Sequence, residues 1–189
     1  DTIVPKISDA FVWDQKETGR KLIYGENTWN EAKAWVSDGN SFALMGDGTN
    51  AFIYKFYVNN LEAKNCYRIS SSVATDVLSA DFYAFSSTRS VLFYVKNNTL
   101  YAYNYDIGNE RVDMIPLETT DEITMLKFDL TMEPMKDALY IATYSAIEGG
   151  SLRKYYVGNN PDKVELKSDP KAVWKGLTKV KNMSWRALL

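Results

Sequence analysis

Apolar and polar residues alternate with period two along most of the chain, the pattern of strands with one buried face. Leu92-Phe93-Tyr94-Val95 runs into the turn cluster Lys96-Asn97-Asn98, and Leu100-Tyr101-Ala102-Tyr103-Asn104-Tyr105 follows. Two aromatic-rich strands around a short polar turn predict a β-hairpin. Asp106-Ile107-Gly108-Asn109 is the next turn and Arg111-Val112-Asp113-Met114-Ile115 a third strand. Asp81-Phe82-Tyr83-Ala84-Phe85 precedes the hairpin and completes a unit of four strands.

The hairpin recurs. Ile53-Tyr54-Lys55-Phe56-Tyr57-Val58-Asn59-Asn60 matches Leu152-Arg153-Lys154-Tyr155-Tyr156-Val157-Gly158-Asn159, and Leu100 to Tyr105 fits the same template. Ile53, Leu100 and Leu152 stand 47 and 52 positions apart, and Glu148-Gly149-Gly150-Ser151 is the expected place for the extra residues. A repeat of this length built only of short strands predicts propeller blades of about four strands each. The later unit takes Ile123–Phe128, Leu139–Tyr144, Leu152–Val157 and Lys163–Leu166. The earlier one takes Phe42–Met45, Ile53–Val58 and Asn65–Ile69 and lacks a clear first strand. In its place Thr28-Trp29-Asn30-Glu31 reads as a capping box and predicts a short helix to about Val36. Phe11–Asp14 and Lys21–Tyr24 read as the outer half of a blade, and Met183–Leu188 as a single inner strand. The expectation is an all-β, β-propeller-like fold of four-stranded antiparallel blades. It is one domain over residues 1–189, incomplete, and the C-terminal part of a larger protein. A β-sandwich of two stacked sheets is the alternative.

Composition narrows the chemistry. Of 189 residues 46% are apolar and 24% charged, and the net charge is −2, which disfavours nucleic acid as a partner. There is no histidine, which removes Ser-His-Asp and Cys-His catalysis, histidine metal sites and the usual proton shuttle. The single cysteine, Cys66, rules out an internal disulfide or a zinc–thiolate cluster and reads as a small buried apolar residue. No run approaches the ~20 apolar residues of a transmembrane helix. Asp1-Thr2-Ile3-Val4-Pro5 has no basic or apolar leader, so a signal peptide is expected to be lacking or already lost.

Asp14, Asp106 and Asp129 each follow an aromatic-rich strand. Carboxylates gathered at a propeller centre would serve as acid and base in glycoside hydrolysis, where the two groups sit roughly 5–10 Å apart. An aspartate before a turn is also the usual Asx-turn residue, and that reading takes precedence here. Asp106, Asn109 and Glu110 do not have calcium-loop spacing. Catalytic residues, metal and cofactor are all expected to be absent.

Among Trp13, Trp29, Trp35, Trp174 and Trp185, an exposed indole would stack on a sugar ring. Trp185 sits on a predicted strand and is assigned to the core. Trp29 and Trp174, the latter in the expected connecting loop Ala172–Gly176, are the candidate ligand contacts; packing between blades is the competing reading. Tyr101, Tyr103 and Tyr105 read as cross-strand aromatic pairs. Lys175, Lys179 and Lys181 read as a solvated face, and Asp47-Gly48 and Gly149-Gly150 as hairpin turns rather than phosphate loops.

From Phe42 to Leu189 the chain resembles the PKD-like family of surface lipoproteins from gut Gram-negative bacteria. The resemblance is carried by Ala80-Asp81-Phe82-Tyr83-Ala84, Leu92 to Tyr103, Glu122 to Phe128, Leu139 to Tyr144 with Glu148-Gly149-Gly150, and Gly176 to Met183. It implies a C-terminal propeller-like region behind a lipidated N-terminus and a PKD module that this chain lacks, in a protein exported to the cell surface. It implies no catalytic residue. The function expected is a non-catalytic binding or interaction module, with a glycan or a surface protein as partner. The open flanks are expected to be covered by upstream blades or by self-association. The alternatives are a carbohydrate-active enzyme using carboxylates alone and a structural cap on an upstream domain.

Overall fold

The computed structural model describes residues 11–14, 20–24, 31–37, 40–46, 51–56, 63–86, 88–106, 108–132 and 135–181. Over these residues the period-two pattern resolves into three antiparallel sheets and one short helix, and none of the sheets closes on itself. The fold is all-β apart from that helix. The chain divides into two compact units, Asp1–Ser79 and Ala80–Leu189.

In the first unit β1 (Phe11–Asp14), β2 (Arg20–Tyr24), β3 (Glu31–Ser37), β4 (Asn40–Gly46), β5 (Ala51–Phe56) and β6 (Ala63–Ile69) form one meander in chain order. Ala51, Phe52, Ile53 and Tyr54 are all buried, so both faces of β5 are covered. The expected helix to Val36 is corrected: Glu31–Ser37 is a strand paired along its whole length with β4, from Glu31 opposite Gly46 to Ser37 opposite Asn40. A helix cap contributes only about 1 kcal/mol, less than a full ladder against a buried strand supplies. Nor are β1 and β2 a detached half-blade, because Arg20 and Lys21 of β2 pair with Ala34 and Lys33 and extend the sheet to six strands. Helix α1 (Ser71–Leu78) follows β6 and was not anticipated. Ser70, extended at φ −62° and ψ 148°, accepts the amides of Val73 and Ala74, and the helix buries Ala74 and Val77.

The second unit holds two four-stranded sheets. One runs β10-β9-β8-β7, from β7 (Phe82–Phe85), β8 (Val91–Lys96), β9 (Thr99–Asn104) and β10 (Arg111–Ile115). These are the four strands expected of the middle unit. Asn97 and Asn98, at φ 50° and 57°, make the two-residue turn whose left-handed residues match the twist of the flanking strands. Of the expected cross-strand aromatic pairs, Tyr101 stacks on Tyr94 at 5.2 Å, while Tyr103 lies opposite Leu92 and Val112.

The other sheet runs β11 (Glu122–Met132), β12 (Met135–Ser145), β13 (Gly149–Val157) and β14 (Leu166–Leu177) in order. Val91, Phe93, Val95, Leu100, Ala102 and Ile115 of the first of these sheets share a core with Ile123, Leu126, Phe128, Leu139, Ile141, Tyr155 and Val157 of the second. Ile53, Leu100 and Leu152 all fall in the third strand of their four-strand runs, β3–β6, β7–β10 and β11–β14.

The longer second interval falls in the β12–β13 hairpin, at the expected place: Leu152 lies opposite Ala142, 10 positions back, whereas Leu100 lies opposite Val95, 5 positions back. Two expectations change here. The turn there is Ala146-Ile147-Glu148, and Gly149, at φ 75°, begins β13 opposite Ser145. The last strand is not Lys163–Leu166 but Leu166–Leu177, so the expected loop around Trp174 is strand.

Side chains tie the two sheets of this unit together. Arg89, in the β7–β8 loop, donates to the Gly158 carbonyl at 2.6 Å and to Asn159 Oδ1 at 2.8 Å. It also lies 3.8 Å from the buried Asp137 carboxylate, which accepts the Thr88 hydroxyl. Asn98 reaches from its turn to the start of β11: Oδ1 accepts the Ile123 amide at 2.7 Å, while Nδ2 donates to the carbonyls of Thr120 and Asp121. Tyr155 donates to Glu118 at 2.7 Å.

Candidate functional site

The registers of β12 and β13 sort their side chains by face. Leu139 and Ile141 point to the core, so Tyr140, Ala142 and Tyr144 point to the outer face. Tyr140 lies opposite Lys127 of β11 and Lys154 of β13, and Leu152 lies opposite Ala142 and Trp174. Trp174 and Tyr140 are therefore diagonal neighbours across β13. Their rings stack at 6.5 Å and 25°, and Tyr140 is buried while Trp174 remains 45% exposed.

Next to this pair stands Lys154. Its ammonium lies 5.8 Å from the Tyr140 ring centroid and 4.9 Å from that of Tyr156. Partial burial pulls the ammonium pKa down, but Tyr156 and Tyr140 outweigh that and hold it above the ordinary 10.5. Lys154 is thus a cation across the physiological range. Tyr156 donates to Asp169 Oδ2 at 3.3 Å. A bulge accounts for the openness here: β13 pairs Arg153 with Val173 but Tyr155 with Ser168, so residues 169–172 loop out beside Lys154. Pro170 cannot donate to a ladder, and such irregularities re-aim neighbouring side chains. Asp169 folds the bulge on itself by accepting the Lys171 amide at 3.0 Å.

The result is a strip of Trp174, Tyr140, Lys154 and Tyr156 along one sheet face. Further along, Lys179 sits 5.2 Å from the Tyr144 ring and pairs with Glu122 at 3.0 Å. The strip offers a flat apolar ring, phenol groups and a fixed positive charge.

Of the residues singled out from sequence, Trp174 belongs to this strip, and Trp29 lies outside the described residues. Trp185 and the strand assigned to Met183–Leu188 lie outside them too, as does Asp47-Gly48. Trp13 falls on β1 opposite Leu22 and Trp35 on β3 opposite Phe42. Cys66 falls on β6 opposite Tyr54.

The carboxylates divide. Asp106 is a turn residue: its amide donates to Asn104 Oδ1 and its carbonyl accepts the Asn109 amide. Asp14 ends β1. Asp129 is not at a turn but within β11, opposite Ala138. No group of three or more metal-ligating side chains is found among the described residues, and no helix there is long and apolar enough to cross a membrane.

Tyr140, Lys154, Tyr156 and Asp169 were not singled out from the sequence. Their alternation was visible, but the registers and the bulge that gather them were not. No family model and no curated protein matches the chain.

Proposed function

We propose that this chain is a non-catalytic binding module that holds glycans on the outer face of the β11–β14 sheet. The observation that carries the reading is Trp174, a large ring fixed in a strand and stacked on a buried tyrosine, yet left 45% exposed. A pre-positioned indole loses little entropy on stacking against a pyranose ring. The resemblance to PKD-like surface lipoproteins supports placing the module on an exported, surface-attached protein.

We read the three sheets as propeller-like blades of an incomplete ring, with a sandwich as the alternative. The equivalent positions of Ile53, Leu100 and Leu152 support that reading, as does the contact between β7 and β11, the first strands of neighbouring runs. A glycan-array screen of the parent and of Trp174→Ala tests the function. Retention of selected glycans by the parent and their loss from the variant are expected. Equal retention by both proteins, or none by the parent, would refute it.

A further inference from the structure

The glycan-binding strip is not electrically neutral. Over residues 163–181 the chain carries six lysines, at 163, 167, 171, 175, 179 and 181, against only Glu165 and Asp169, while the whole chain is net −2. Positive charge is therefore concentrated on the segment that supplies Trp174. Lys154 adds to it from the neighbouring strand. Among the described residues no carboxylate lies within ion-pair distance of Lys154, and Asp169 beside it already accepts the Tyr156 hydroxyl and the Lys171 amide. The neighbours of Lys154 are phenol rings, which hold the ammonium in place without neutralising it.

We propose that the strip selects acidic glycans, sugar chains bearing carboxylate or sulfate groups, with a ring stacked on Trp174 and an acidic group on the Lys154 ammonium. The proposal rests on the glycan-binding reading and names its ligand class. The bulge at residues 169–172 interrupts the ladder beside Lys154, so the Lys154 position has no ladder partner on β14. An ammonium–carboxylate bond is charge-assisted and stronger than a neutral one. The lysines of β14 contribute a longer-range attraction that salt screens.

The test uses ligands matched in ring and differing in charge: polygalacturonate against its methyl ester, and dextran sulfate against dextran. Binding is measured by isothermal titration calorimetry on the full chain. The parent is expected to bind at least one acidic member about tenfold tighter than its neutral partner. Lys154→Gln should remove that preference, while Trp174→Ala should weaken binding of both the acidic and the neutral member about tenfold. Lys181→Gln, a charge change outside the strip, should leave the preference in place.

Equal affinity within both pairs would overturn the acidic preference and leave the glycan-binding reading standing. No binding to any of the four polymers would end both readings. So would binding only to phosphatidylcholine vesicles containing phosphatidylglycerol, which would make the face a membrane contact. Acidic binding that survives both Lys154→Gln and Trp174→Ala would place the site elsewhere and overturn the proposal.

Discussion

Asn98 is the smallest residue change expected to loosen the two sheets of the second unit. Its backbone sits at φ 57°, in the left-handed region that alanine enters at a penalty of about 1–2 kcal/mol. Its Oδ1 accepts the Ile123 amide at 2.7 Å in a half-buried setting, a bond contributing about 1 kcal/mol. The two Nδ2 bonds, at 3.3 Å to Thr120 and 3.2 Å to Asp121, are exposed, so water replaces them at little loss. Asn98→Ala should therefore cost about 2–3 kcal/mol. Asn98→Gly keeps the turn geometry and loses only the side chain, about 1–2 kcal/mol.

Urea unfolding followed by near-ultraviolet circular dichroism measures both values, and an unchanged m-value shows that the denatured state is not altered. Hydrogen exchange supplies a local readout, since the Ile123 amide should lose protection in both variants. Asn97→Gly, at the neighbouring exposed turn position, should stay within about 0.5 kcal/mol of the parent. If Asn98→Ala and Asn98→Gly both fall within that margin, or the Ile123 amide keeps its protection, Asn98 does not join the sheets.

Three further outcomes follow from single sites. Thr124 is buried in β11 with no hydrogen-bond partner for its hydroxyl among the described residues, so Thr124→Val should stabilise by about 1 kcal/mol in urea; a loss would mean that the hydroxyl is satisfied. Gly150 lies under the 177–178 backbone, where an added Cβ would come within 2.9 Å of the Leu177 carbonyl oxygen; Gly150→Ala should cost about 2 kcal/mol or more in the same assay, and a neutral result would refute the close approach. Burial, and then Glu118, raises the Tyr155 pKa above the ordinary 10, so the fold prefers the neutral phenol. That contribution is complete below pH 10 and is lost as pH rises above it; unfolding free energies of the parent and Tyr155→Phe should diverge in slope only there, and parallel curves would refute it.

The β7–β10 sheet was legible because every strand alternates strongly and the Asn97-Asn98 turn is local. Each connection is short, so neighbours in sequence became neighbours in the sheet. In the first unit two signals compete: Thr28 to Glu31 looks like a cap, but Glu31–Ser37 finds a full ladder on Asn40–Gly46. Helix α1 carries helical spacing in Val73, Ala74, Val77 and Leu78, a signal only two turns long beside the strands around it. At β14, Pro170 and its flanking lysines imitate a loop. An edge strand needs only one ladder, so it tolerates a proline and a four-residue bulge, and lysines there discourage unwanted pairing. Trp174 stands in the sequence as a candidate ligand contact with blade packing as the competing reading; its 45% exposure and its neighbours come only from the fold. Tyr140 and Lys154 are 14 positions apart and meet only through the β12–β13 register, and Asp169 comes near only because residues 169–172 loop out.

An open flank of a larger β-structure and a ligand-binding face make different demands on the same surface. On the β7–β10 sheet the face turned away from the shared core carries Phe85, Leu92 and Tyr103, each at most 1% exposed, with Val112 and Met114 open only at its edge. That is the composition of a surface covered by apolar packing. The outer face of the β11–β14 sheet carries Lys127, Lys154 and Lys167 among its aromatics. Burying the Lys154 ammonium under an apolar blade without a carboxylate beside it would cost several kcal/mol. A covering blade would therefore have to bring a matching carboxylate, whereas water or an acidic ligand satisfies Lys154 directly. The same face holds its indole against Tyr140 and leaves it 45% exposed. Charge and ring together favour a polar, anionic ligand on this face over the next blade of a ring.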